Sequence, residues 1–113
     1  MISEVDIKDF DGYQDEAWKT AMESARNAAY LYNGLSGEVG EVCSLYAKAI
    51  RDGIEDHKRF SEQIKKELGD VLWFISGLSR LHGFTLKEVA DANIAKLKSR
   101  QQRNTLKGSG DDR

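Results

Sequence analysis

No proline occurs anywhere in the 113 residues. Proline interrupts helices because it lacks an amide hydrogen and its ring clashes with the preceding turn. A chain of this length without it, rich in Ala, Leu, Glu, Lys and Ile, is biased towards long helices. Apolar residues recur at helical spacing in four stretches. The first runs from about Asp11 to Ala29, with Trp18, Ala21, Met22 and Ala25 in register. The second, about Leu31 to Arg51, carries Leu35, Val39, Val42, Tyr46 and Ala49, and Asp52-Gly53 is its stop signal. The third runs from Lys58 or Ser61 to His82, with Ile64, Leu68, Val71, Ile75 and Leu78 on one face. Thr85-Leu86-Lys87-Glu88 is a capping-box pattern opening a fourth, which holds Val89, Ala90, Ile94 and Leu97. The predicted fold class is all-α, a bundle of about four main helices in a single domain spanning residues 1–113. Residues 101–113 lose the periodicity and read as a frayed, flexible end.

Composition narrows the function classes. A net charge of -2 gives no bulk attraction for a nucleic-acid polymer, so any phosphate has to be met locally. Cys43 is the only cysteine, which rules out an intrachain disulfide and suits a reducing compartment. The acidic start, Met1 to Asp6, lacks the character of a signal peptide, and no apolar run is long enough to span a membrane. A cytoplasmic location is expected.

Two segments repeat one another: Glu38-Val39-Gly40-Glu41-Val42 and Glu67-Leu68-Gly69-Asp70-Val71. Each places two carboxylates three residues apart, on one side of a helix. Positions that face each other across an antiparallel hairpin share a common centre. Glu38 with Asp70, and Glu41 with Glu67, both centre on position 54, inside the expected turn. At about 100° per residue, Glu38 points between Leu45 and Val42 and Glu67 between Phe74 and Val71, inside the apolar arcs. Glu41 and Asp70 fall at the arc edges. Four carboxylates at a half-buried seam repel one another and lose hydration unless a cation compensates. The donors are all hard oxygens, which suits Mg²⁺, with Mn²⁺ as a substitute, and not zinc. Gly40 and Gly69 each weaken their helix by about 1 kcal/mol against Ala, which suggests that space is needed beside the acids. The competing reading is a solvated acidic face neutralised by Lys48, Lys65 and Lys66. A di-iron bundle would need Glu-x-x-His motifs, which His57 and His82 do not supply.

With these acids in place the chain resembles the MazG-like family of all-α nucleotide pyrophosphohydrolases. The family pattern is Glu-Glu-x-x-Glu on one helix and Glu-x-x-Asp on the next. Glu67-Leu68-Gly69-Asp70 matches the second element. Gly37-Glu38-Val39-Gly40-Glu41 matches the first except that Gly37 stands where the leading Glu is expected. Tyr13-Gln14, Ala17, Thr20-Ala21, Asn93-Ile94-Ala95-Lys96-Leu97 and the ending from Lys107 to Arg113 extend the likeness along the chain. The resemblance implies Mg-dependent hydrolysis of a nucleoside or deoxynucleoside triphosphate to its monophosphate and pyrophosphate. Glu38, Glu41, Glu67 and Asp70 would be the ligands, and Glu41 is also the choice for the base that holds the attacking water.

Other positions could meet the substrate. Asn93, Lys96 and Arg100 share one stripe of the fourth helix and could approach sugar and phosphates, although Lys96 and Arg100 could equally be cations that complement the helix dipole. Trp18, Trp73 or Tyr13 could stack on a base, and Gln14 could bond a base edge, although helical aromatics more often serve a core. Broad apolar faces on so short a chain predict a homodimer or homotetramer, with Trp73 as a candidate contact. Two other readings stay open: a phosphoribosyl-ATP pyrophosphohydrolase-like enzyme, and a non-catalytic helical oligomerisation or binding module.

Overall fold

The structure is a computed structural model that describes residues 6–103. Among these residues it contains four α-helices and no strand. Helix α1 spans Phe10–Lys19 and begins where the Asp9 carboxylate accepts the Gly12 amide at 2.7 Å. It ends ten residues earlier than the periodicity suggests. The Thr20 hydroxyl turns back onto the Ala17 carbonyl at 2.6 Å, and a 3₁₀ turn at Glu23–Ala25 follows. Ala21 and Ala25 keep buried positions in that bend, which is why their spacing resembles a continuing helix.

Helix α2, Ala28–Asp52, starts at Asn27, whose side chain accepts the Tyr30 amide at 2.9 Å. Gly53, at φ 83°, releases the chain, as a left-handed position requires. Helix α3, His57–Leu81, is capped by Asp56 rather than Ser61, with the Arg59 amide 3.0 Å from its carboxylate. Gly83 at φ 79° closes that end. Helix α4, Leu86–Gln102, opens on the full capping box between Thr85 and Glu88. Gln101 and Gln102, expected in the tail, are helical, while the rest of that tail, like the first five residues, lies outside the described residues.

Helices α2 and α3 form one long antiparallel hairpin, each about 37 Å by helical rise. Helix α1, much shorter, lies against α3, and α4 packs on α1 and α3. The core therefore sits at one end of the hairpin, around Leu31, Phe74, Ser76 and Leu86. Gly77 admits close approach there: a Cβ on it would lie 3.1 Å from Leu31 Cδ2 and 3.4 Å from Trp18 Cζ3. At the other end Tyr46, Ile50 and Leu68 remain more than half exposed. The radius of gyration, 17.0 Å, exceeds the roughly 13 Å expected for a compact chain of this length.

Candidate metal centre

The hairpin register brings three of the four acids together. Glu38 from α2 and Glu67 and Asp70 from α3 each offer a carboxylate oxygen within 4.8 Å of the others. Glu38 and Glu67 are half-buried and Asp70 is exposed. Glu41 stands outside this close group, exposed on α2. A residue at the edge of an apolar arc is turned towards solvent by a small rotation of its helix. The Glu38 carboxyl is pushed above its ordinary value by burial, then by the charges of Asp70, Glu67 and Glu41. On α1 the half-buried Tyr13 phenol is raised by burial first and by Asp70 second. Three hard-oxygen donors held this close suit a hard divalent cation.

A cleft of about 760 Å³ opens beside Glu38 and Glu41. Its wall follows a stripe of α2 (Tyr30, Asn33, Gly37, Glu38 and Glu41) with Phe74 from α3 opposite. Tyr30, Asn33 and Phe74 were not among the residues singled out from the sequence. Their signal was present in the spacing, since 30, 33, 37, 38 and 41 fall on the helix side that carries the acids. Gly37 faces open space, with nothing within 4 Å of where a Cβ would stand. Gly40 and Gly69 are equally open, so no neighbour within this chain demands glycine there.

The remaining expected substrate residues are dispersed. Asn93, exposed, and Lys96, half-buried, line a separate cleft of about 500 Å³ with Phe84 and Val89. Arg100 is only 4% exposed and is not part of an open stripe. Gln14 is a structural residue rather than a base contact. Its amide nitrogen donates to the Phe84 carbonyl at 3.0 Å and the Ser76 carbonyl at 3.4 Å, and its oxygen accepts the Leu86 amide at 3.0 Å. At 5% exposure it has nothing left to offer a ligand.

Trp18 lines another cleft, where the guanidinium carbons of Arg26 and Arg80 lie 5.0 and 5.7 Å from its ring centre. Trp73 is engaged within the chain. Its N–H donates to the Ala17 carbonyl at 3.1 Å and the Thr20 hydroxyl at 2.9 Å. Its ring meets Phe74 edge-on at 5.0 Å.

Among the described residues no helix is long and apolar enough to cross a membrane. The chain is 34% identical over 112 residues to the Gene 37 protein of Mycobacterium phage L5, covering 91% of this chain and 97% of that protein. No solved structure matches it. Residues 26–104 match the model of the MazG nucleotide pyrophosphohydrolase domain, well over half of the sequence and the whole of the acidic hairpin. On that match the chain belongs to the MazG nucleotide pyrophosphohydrolase family.

Proposed function

We propose that the protein hydrolyses a nucleoside or deoxynucleoside triphosphate to the monophosphate and pyrophosphate, with Mg²⁺ held by Glu38, Glu67 and Asp70. The observation that carries the reading is the convergence of those carboxylates from two helices, with Glu38 among them lining an open cleft. Three acids so placed repel one another, and Glu38 in particular resists ionising. A divalent cation converts that cost into a binding site. When bound, it supplies neutralisation of phosphate charge and a lowered pKa for water. Mn²⁺ has the same donor preference and should substitute.

Glu41 takes the other role assigned to it. It lines the same cleft, outside the three-carboxylate group, and is exposed. A carboxylate there is free to accept a proton from the water that attacks the phosphorus.

The active form in this proposal is a homodimer or homotetramer. Two observations support it: the apolar side chains left open at the hairpin's far end, and the separate clefts of the acids and of Asn93 and Lys96. In this proposal the α4 that meets phosphates bound at the acids comes from another copy.

A panel of nucleoside and deoxynucleoside triphosphates, assayed for pyrophosphate release with Mg²⁺ and with chelator, tests the activity. Glu67→Gln should lower turnover by at least 100-fold while leaving the helical content intact. Near wild-type release by that variant would remove the role given to the acidic hairpin.

A further inference from the structure

The cleft beside the acids has two chemically different ends. At one end are Glu38 and Glu41, and at the other Tyr30, Asn33 and Asn27. Among the described residues no lysine or arginine lines any part of it. A triphosphate therefore has one place to go in this cleft, the cation held by the carboxylates. The first residue of α2, Ala28, lies about 15 Å of helical rise from Glu38, so phosphates gripped at the acids do not also occupy the α2 N-terminus. What remains for that end is the uncharged part of the substrate.

The polar groups there are unequal. Asn27 is already committed: its oxygen caps the Tyr30 amide at 2.9 Å and its nitrogen donates to the Ser24 carbonyl at 2.9 Å. Asn33, one turn beyond Tyr30 on the stripe, is exposed, and its side chain makes no hydrogen bond within the described residues. Beside it, Tyr30 is 48% exposed, with its ring centre 5.9 Å from that of Phe74 and tilted by 32°. Gly34 lets Phe74 form this wall, since a Cβ at that position would fall 2.1 Å from Phe74 Cε1. Gly37 then leaves the passage from this end to Glu38 open.

We infer that the N-terminal part of α2 is the base subsite, with the Asn33 amide reading the hydrogen-bonding edge and Tyr30 with Phe74 forming its apolar wall. The inference rests on the proposed pyrophosphohydrolase reading and adds the residue that sets substrate choice. Asn33 carries an adjacent donor and acceptor, the arrangement that pairs in bidentate fashion with a base edge. An aspartate there would only accept, so between the pyrimidines it should favour cytosine, which presents an amino group at C4, over uracil, which presents a carbonyl there.

The test is binding rather than turnover, in Mg²⁺ with α,β-imido analogues of cytidine, uridine, adenosine and guanosine triphosphates. Inorganic tripolyphosphate serves as the baseless control, and affinities are measured by calorimetry. The wild type should bind its preferred analogue more tightly than tripolyphosphate and rank the bases. Asn33→Ala should weaken the preferred analogue by 10- to 100-fold and level the ranking, with tripolyphosphate affinity changed less than 2-fold. Asn33→Asp should shift the cytidine-to-uridine ratio by 10-fold or more towards cytidine, and Tyr30→Ala should weaken all four analogues together. Unchanged ranking in both Asn33 variants overturns the subsite, as does a wild type that binds analogues no better than tripolyphosphate. In those cases continued pyrophosphate release from natural nucleotides leaves the catalytic reading standing. A wild type that binds neither analogue nor tripolyphosphate overturns both.

Discussion

Two glycines three residues apart on α2 should respond to alanine in opposite directions. At Gly37 an added Cβ meets nothing within 4 Å, so Gly37→Ala should gain the usual helix propensity of about 0.5–1 kcal/mol. At Gly34 the same methyl would lie 2.1 Å from Phe74 Cε1 and 2.4 Å from Cζ. Restoring ordinary carbon contact near 3.5 Å requires the ring to move by about 1.4 Å. Phe74 is 8% exposed and its ring abuts Trp73, whose N–H is tied to Ala17 and Thr20. Overpacking of this kind costs about 1–3 kcal/mol, and the propensity gain offsets part of it. The two variants should therefore differ by about 2 kcal/mol, or roughly 8 °C in melting temperature. The comparison is made by thermal and urea denaturation at one fixed protein concentration, because association also shifts apparent stability. Combining Gly34→Ala with Phe74→Leu should recover part of the loss, as coupled neighbours do. If Gly34→Ala melts with or above Gly37→Ala, the ring is not packed against the helix as described.

Three other outcomes follow from the same structure. Gln14→Ala strands the Leu86 amide and the Phe84 carbonyl in a buried place, so it should cost about 2–4 kcal/mol in urea unfolding; a loss below 0.5 kcal/mol would contradict the hydrogen bonds assigned to it. The folded-state value of Glu38 lies above its ordinary 4.5, so the native protein holds the proton to higher pH than the unfolded chain does. Metal-free stability should accordingly fall as pH rises through that folded value. Mg²⁺ affinity should move the other way, weakening as pH drops through it by up to about tenfold per unit, and calorimetric affinities that stay flat above pH 4.5 would refute the competition. Light scattering coupled to gel filtration should give a mass of at least two chains, and a monomer at micromolar concentration would count against the assembly proposed here.

The elements visible in the sequence are those fixed by local chemistry. Thr85 and Glu88 sit three apart at a helix start, Gly53 and Gly83 follow the ends of α2 and α3, and the apolar periods of those helices are long. The register joining Glu38 to Asp70 was legible because a hairpin with a short turn leaves little freedom. What was not legible depends on contacts between distant segments. Alanines at helical spacing do not reveal that the Thr20 hydroxyl stops α1 at the Ala17 carbonyl. Gln14 is a polar residue beside aromatics in the sequence, and only the approach of Phe84 and Leu86, seventy residues away, makes it a structural bracket.

The unequal lengths of the helices have a consequence of their own. The ten residues of α1 shore up only one end of the 25-residue α2–α3 pair, and the three-carboxylate group lies near the middle of that pair. The two arms beyond it resemble tines stiffened at the handle, joined at their tips by the turn at Gly53 and otherwise braced mainly by one another. Like charges at the crotch push the tines apart, and a cation lodged there would act as a rivet. Amide exchange should therefore be slow around Ser76, faster towards Gly53, and slowed along both tines when the rivet is set.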